Sequence, residues 1–335
     1  MTPSVPVPSA IVAYLDRHVV GQADAKRTLA VAVYSHYRKV AAAGAAGPRM
    51  AKSNLLLIGA SGTGKTLTCE TLSRCLDVPF VTAEATSLAQ TRFIGEEIEA
   101  ILVRLVDRAG GDLERAQRGI VFIDEIDKLK AGRGEVRGTS GESVQHALLK
   151  IMEGAQVKVG TDRYVDTSDV LFVCGGAFVG LDEIMSQSHG FGFIATGNDD
   201  NQRILERLNS RVKPTDLFAY GLIPEFTGRL PIVARFADLD RGLLVRILTE
   251  PADSIYAQAR AVFQGEGVEL LVESRVFEQI AEVALEYKTG ARSLRGIFEE
   301  MIAPVLYVVP DRPEIKRVVI ESLFAEPRYF GAARA

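Results

Sequence analysis

The chain has 335 residues, 47% of them hydrophobic and 24% charged, with a net charge of −4. This is an ordinary globular composition, and the length exceeds the roughly 250–300 residues at which one core stops growing, so two domains are expected. The acidic balance argues against a polyanion binder that relies on bulk charge, which leaves nucleic acid a disfavoured partner.

Three cysteines without a C-x-x-C pair, together with four scattered histidines, give no disulfide framework and no structural zinc site. The longest uncharged apolar run, "VLFVCGGAFVGL", is shorter than the roughly 18 residues a membrane span needs. The N-terminus lacks the basic-then-apolar layout of a signal peptide. A cytoplasmic protein with no membrane partner is expected.

In chain order, residues 1–8 read as a stiff, proline-rich tail. "SAIVAYLDRHVVGQADAKRTLAVAVYSHYRKV" reads as two helices broken at "VVGQ", with Asp24 near the second start. "AAAGAAGPRMAKS" loses periodicity and reads as a loop. "NLLLIG" is a strand buried on both faces, followed by a helix from Lys65 and a strand in "PFVTAEA". "EEIEAILVRLVDRAGG" is a helix ending on glycines. "GIVFIDE" and "DVLFVCGG" are further buried strands on either side of the helix "SVQHALLKIMEG". Strand–helix alternation of this kind implies a parallel sheet covered on both faces. After "LPIVARF" the character changes. "RGLLVRILTEPADSIYAQARAVF", "SRVFEQIAEVALE" and "SLRGIFEEMIAPVLYVV" are helical, with short strands "VELLV" and "KRVVI" between them. The expected division is an α/β domain over 9–237 and a smaller, mostly helical domain over 238–335.

"GASGTGKT" matches G-x-x-x-x-G-K-[ST] between a predicted strand and helix, the context that makes this pattern a phosphate loop. Gly59, Ser61, Gly62, Thr63 and Gly64 would curl backbone N–H groups around phosphates at a helix N-terminus. Lys65 would reach the β and γ phosphates of ATP, Thr66 would hold Mg²⁺, and Leu67 continues the helix beneath the nucleotide. "IVFIDE" delivers Asp124 and Glu125 to the C-terminal end of a strand, where α/β sheets bind ligands. Asp124 would complete the Mg²⁺ shell through water, and Glu125 would orient and deprotonate the attacking water. Asp124 follows Lys65 by roughly 60 residues, which separates this acid pair from an ordinary helix cap. Arg229 lies on a turn in "GLIPEFTGRLP", and Arg292 opens a helix in "TGARSLRG"; taken alone, each is an ordinary surface arginine.

"HVVGQADAKRTLAVAVYSHY", "SNLLLIGASGTGKT", "QRGIVFIDEIDKL", "LFVCGGAFVGLD", "GLIPEFTGRLPIV" and "KTGARSLR" together resemble the AAA+ module of the ClpX family, from about Ser9 to near the C-terminus. The resemblance implies a P-loop ATPase domain with a smaller helical domain, working as a homo-hexameric ATP-driven unfoldase that feeds polypeptide to a ClpP-type peptidase. It implies that Arg229 is an arginine finger acting on a neighbouring subunit's nucleotide and that Arg292 is the sensor-2 arginine. It also implies that Val19 and Val20 pack on the adenine.

"RFIG", from Arg92 through Phe93 and Ile94 to Gly95, falls where the family carries Gly-Tyr-Val-Gly on a pore loop. An aromatic beside a branched aliphatic can grip polypeptide by van der Waals contact without reading its sequence. Without the resemblance, Phe93 would be taken as the first core residue of the helix that follows. "AGRGEVRGTSGESVQ" is similar to the second pore loop, with Arg133 and Arg137 adding positive charge to the channel. "AQVKVGTDRYVDTSD" is short where the family inserts a loop bearing Arg-Lys-His. The family's N-terminal zinc-binding domain has no counterpart in this sequence. Phe191-Gly192-Phe193 stands where the family carries an Ile-Gly-Phe tip that docks on the peptidase. Two rival functions remain: a standalone remodelling chaperone, and a nucleic-acid translocase, which the apolar first pore loop disfavours.

Overall fold

The short apolar runs of the first two-thirds of the chain become strands of a sheet. The structure, a computed structural model, describes residues 5–43, 52, 54–91, 93–130, 141–160, 162–189 and 211–331. Two units divide it. The described residues within 1–11, 24–59 and 65–235 form the first; those within 12–23, 60–64 and 236–335 form the second.

In the first unit the strands are β1 (Leu55–Ile58), β2 (Phe80–Glu84), β3 (Ile120–Asp124), β4 (Gln156–Val159), β5 (Arg163–Asp166), β6 (Leu171–Gly176) and β7 (Ile232–Arg235). Five of them form one sheet in the order β2-β3-β6-β1-β7, and every pairing in it is parallel. Leu55 registers with Val173 on one side and Ile232 on the other, and Glu84 registers with Asp124. Every residue of β1 and β6 is buried, as a sheet covered on both faces requires.

The chain enters through α1 (Pro8–Asp16) and α2 (Ala23–Ala43), and α3 (Lys65–Leu76) follows β1. Next come α4 (Ala85–Gln90), α5 (Ile94–Arg108) and α6 (Leu113–Ala116), then α7 (Gly141–Glu153), α8 (Leu181–His189), α9 (Pro214–Tyr220) and α10 (Pro224–Gly228). Helix α5 shows why the pattern was readable. Ile98, Ile101, Leu102, Leu105 and Val106 recur at helical spacing and are all buried, while Glu96 and Glu97 occupy the positive first turn. Its apolar stripe joins Leu56, Val121, Phe172 and Phe226 in the core of this unit.

Phe93 stands just outside α5 and is 64% exposed, so the alternative reading of it as the first core residue of that helix does not hold. Two local readings change. Ile94, the neighbour of Phe93, packs against the core. The segment after α7, read as a shortened loop, is the antiparallel hairpin β4–β5, with Val159 and Val165 buried. Two four-residue strands are too short for alternation to stand out.

The second unit adds α11 (Arg241–Thr249), α12 (Ile255–Gly265), β8 (Glu269–Val272), α13 (Ser274–Glu286), α14 (Arg292–Val308), β9 (Ile315–Ile320) and β10 (Arg328–Gly331). The stretch read as one helical run is two helices. Pro251 follows the first, and Ser254 caps the second by accepting from the Ala257 N–H at 3.2 Å. Asp240 likewise caps α11 through the Leu243 N–H at 2.7 Å. Leu244, Phe263, Ile280, Phe298 and Val318 belong to a separate core, beside a small sheet ordered β10-β9-β8. This is the α/β domain and the smaller, mostly helical domain expected from the pattern.

Candidate nucleotide site

Strand β1 runs into Gly59, whose N–H donates to the Gly176 carbonyl at 3.1 Å and extends the sheet by one step. Lys65 opens α3 and is buried, with Nζ donating to the Gly59 carbonyl at 2.6 Å. The turn between them packs in the second unit. There the Thr63 hydroxyl donates to the Ala60 carbonyl at 2.8 Å, Ala291 N–H donates to the Gly62 carbonyl at 3.3 Å, and the Gln22 amide donates to the Thr63 carbonyl at 3.4 Å. Because a trans peptide is planar, carbonyls held in this way turn the Thr63 and Gly64 N–H groups to the opposite side of their peptides. Gly62 (φ +79) needs its glycine twice over, since a Cβ there would also overlap the Thr289 carbonyl. Around Gly64 (φ +97) a Cβ would meet nothing within 4 Å, leaving room for a bulky anion.

Strand β3 presents the acids. Asp124 is half-buried and its Oδ1 accepts from the Glu125 N–H at 2.9 Å. Glu125 takes a left-handed backbone (φ 59), which turns its exposed side chain off the strand axis. Its Oε2 accepts from the Thr86 hydroxyl at 3.1 Å, at the start of α4. Gly175 on β6 passes close beside them, for a Cβ there would overlap the Phe122 ring and stand 3.2 Å from Asp124 Oδ1. Asp127 is buried and accepts from the Phe178 N–H at 3.3 Å, bracing the turn behind β3. The Thr66 hydroxyl and the Asp124 carboxylate are hard oxygen donors suited to Mg²⁺, an ion that keeps several waters and needs few protein ligands. On the buried side of α3, Cys69 is inert, because burial and then the Asp124 charge raise its thiol pKa. Burial pushes the Cys174 thiol up to about 12.

Arg229 directly follows α10, half-exposed, and pairs with Glu153 at 2.6 Å. Its carbonyl accepts from Asn54 Nδ2 at 3.2 Å, and Asn54, fully buried, also donates to Met152 O at 3.3 Å. The arginine is therefore tied through backbone and side chain to the end of α7. In the second unit Arg292 is the exposed first residue of α14, and Val19 and Val20 are buried. Ser61 and Leu67 are exposed.

Comparison with known proteins fits this geometry. Residues 50–233 match the AAA domain (Cdc48 subfamily), and residues 239–318 match the C-terminal D2-small domain of ClpB protein. The ATP-dependent Clp protease ATP-binding subunit ClpX 3 of Methylococcus capsulatus is 41% identical over 95% of this chain and 80% of its own length. The chain belongs to the ClpX family. ClpX of Azotobacter vinelandii is 40% identical over 96% of this chain and 78% of its own length, and ClpX 2 of Wolinella succinogenes is 41% identical over 97% and 85%. As a ClpX-family AAA protein it is an ATPase.

Of the residues expected to contact substrate, Phe93 is exposed at the start of α5, Ile94 packs against the core and Gly95 is exposed. Arg92, Arg133 and Arg137 lie outside the described residues, as do Phe191, Gly192 and Phe193 of the candidate docking tip. Among the described residues no helix is long and apolar enough to cross a membrane, and no group of three or more His, Cys, Asp or Glu is placed to hold a metal ion. Sequence reasoning missed Thr86, Gln22, Asn54 and Glu153. Gln22 lies in the "VVGQ" segment, which did not show its role; each of the four is defined by a partner far along the chain.

Proposed function

We propose that this ATPase is a cytoplasmic ring hexamer that unfolds and translocates polypeptides and delivers them to a ClpP-type peptidase. The observation that carries the reading is Phe93, a large aromatic left in solvent at the N-terminus of α5, only a few residues beyond the α4 helix whose first turn bonds Glu125. A bulky apolar side chain kept out of the core suits a grip on other chains. Phe93 also follows closely on α4, which bonds the proposed hydrolytic carboxylate through Thr86.

In the mechanism, the Thr63 and Gly64 N–H groups and Lys65 bind the phosphates of ATP and neutralise their charge. Glu125 orients a water and takes its proton as that water attacks the γ-phosphorus, while the bond from that phosphorus to the β-phosphate oxygen breaks and ADP leaves. Thr66 and Asp124 would hold Mg²⁺, which would supply charge stabilisation to the phosphates during transfer. Arg229 reaches the nucleotide of a neighbouring subunit and stabilises charge developing in transfer, which is why a closed ring is required. Arg292 and the Val19–Val20 segment bind the phosphate tail and adenine within one subunit. Arg92, Phe93, Gly95 and Arg137 contact polypeptide, while Ile94, which packs against the core, anchors Phe93 beside it. Phe191-Gly192-Phe193 docks the peptidase.

The test is ATP hydrolysis by the purified protein with and without an unfolded polypeptide, and with single-stranded DNA, for the wild type and Phe93→Ala. Polypeptide stimulates the wild type, and the substitution removes that stimulation while leaving the basal rate. Stimulation by DNA instead, or stimulation by polypeptide that survives the substitution, sinks the unfoldase reading. Adding a ClpP-type peptidase to the wild type then reads docking as degradation of the polypeptide.

A further inference from the structure

Gln22 closes the "VVGQ" segment in a left-handed backbone (φ 56), an uncommon state for a residue with a Cβ, and it is buried. Its side-chain amide pairs with both ends of one residue. Nε2 donates to the Ala237 carbonyl at 2.8 Å, and Oε1 accepts from the Ala237 N–H at 2.8 Å. That double pairing assigns the amide orientation, since only the oxygen can accept from a backbone N–H. The second hydrogen on Nε2 is then directed at the Thr63 carbonyl, 3.4 Å away.

The Thr63 carbonyl and the Gly64 N–H are opposite ends of one rigid peptide. Gly64, with no side chain, gives that peptide little local steering. The preceding peptide is held in the same way, by Ala291 N–H on the Gly62 carbonyl at 3.3 Å. We propose that Gln22 is a positioning residue of the phosphate loop: it holds the Thr63–Gly64 peptide with its N–H turned toward bound phosphate and ties that peptide to the backbone at Ala237. When the Gly64 N–H donates to a phosphate, the Thr63 carbonyl becomes a stronger acceptor and draws the Gln22 amide closer, because bonded peptides polarise one another. Phosphate binding thereby tightens the Gln22–Ala237 pair, and loss of phosphate relaxes it. A glutamate at this position keeps the acceptor for Ala237 N–H but turns its other oxygen on two carbonyls, so the role is specific to an amide. The inference rests on the nucleotide-binding reading of the loop.

The test uses the full chain as wild type, Gln22→Glu, Gln22→Leu and Lys65→Ala. Three quantities are measured: Mg·ATP affinity, KM and kcat for hydrolysis, and hydrogen exchange over residues 59–66 and 236–240. Both Gln22 variants should bind ATP at least tenfold more weakly and show KM raised to match, with kcat at saturating ATP within about threefold of wild type. In the wild type, ADP should slow exchange over 236–240, and Gln22→Glu should remove that slowing. If Gln22→Leu fails to fold, Gln22→Glu and the wild-type exchange measurement still decide the matter. ATP affinity of Gln22→Glu within threefold of wild type, or a kcat loss with unchanged KM, overturns the inference, as does wild-type exchange at 236–240 that ignores ADP. Lys65→Ala separates the two readings. If it also binds ATP normally, the nucleotide assignment of the loop fails; if it loses ATP while Gln22→Glu does not, only the role of Gln22 fails.

Discussion

Lowering the pH from 7 to 5 should destabilise the first unit through one residue, His36. This imidazole on α2 is buried, and its Nε2 lies 3.0 Å from the Asp169 carbonyl, which only a protonated Nε2 can satisfy. Burial is the main cause that lowers its pKa from 6.5 to about 4; the bond to Asp169 opposes this, and the charges of Lys52 and Lys39 add to it. Tyr37 stands edge-on to the ring at 4.9 Å, and its own phenol is pushed up by burial. Because the folded pKa lies below the unfolded one, the unfolded chain takes up the proton first. The stabilisation is complete above about pH 6.5 and is lost as the pH falls toward 4. The gap between 6.5 and about 4 corresponds to about 3 kcal/mol in full, and about 2 kcal/mol of it is lost between pH 7 and 5.

Lys52 does not confuse the experiment. It donates to the Thr167 carbonyl at 2.6 Å, and burial, opposed by the Asp169 and Asp166 charges, lowers its pKa to about 7. Its linkage therefore lies mainly between pH 7 and 10.5, where stability rises with pH. The assay is urea unfolding by circular dichroism at pH 7 and pH 5 for the wild type and for His36→Gln, whose amide can still donate to Asp169 but cannot titrate. The wild type should lose about 2 kcal/mol more than the variant over that interval. Equal losses would show that His36 is not the acid-sensitive group, and the argument from its burial would be refuted.

Two further outcomes bear on the ATPase. Thr86→Val removes a hydroxyl bond to Glu125 without changing side-chain shape; a bond worth about 1 kcal/mol that restrains the carboxylate proposed as the general base translates into a basal rate raised roughly fivefold. A basal rate unchanged in steady-state kinetics would mean that Thr86 does not govern Glu125. Arg229→Ala should cut hydrolysis by about 10³-fold or more while ATP binding persists, and its melting temperature should hardly move, since half-exposed pairs such as Arg229–Glu153 contribute about 1 kcal/mol or less. Mixing Arg229→Ala with Lys65→Ala subunits should restore part of the activity, because one partner keeps the nucleotide site and the other keeps the arginine. No recovery on mixing would count against action between subunits.

Local chemistry was legible wherever it is carried by neighbouring residues. The apolar runs within β1, β3 and β6 announced a parallel sheet because strands covered on both faces cannot alternate. The phosphate loop was legible because glycines before a lysine and a helix are a local backbone requirement, and the acid pair because it ends an apolar strand. The hairpin β4–β5 and the break at Pro251 were not, since short elements leave too few residues for a period to show. Whether Phe93 joins the core was undetermined by pattern alone, for an aromatic at a helix start fits either side of the surface. The contacts that hold the site were out of reach altogether. Gln22 meets Ala237 across 215 residues, Asn54 meets the Arg229 carbonyl across 175, and Thr86 meets Glu125 across 39. Such bonds leave no periodic trace, because a polar side chain that finds its partner only after the chain has folded looks, along the sequence, like any other polar side chain.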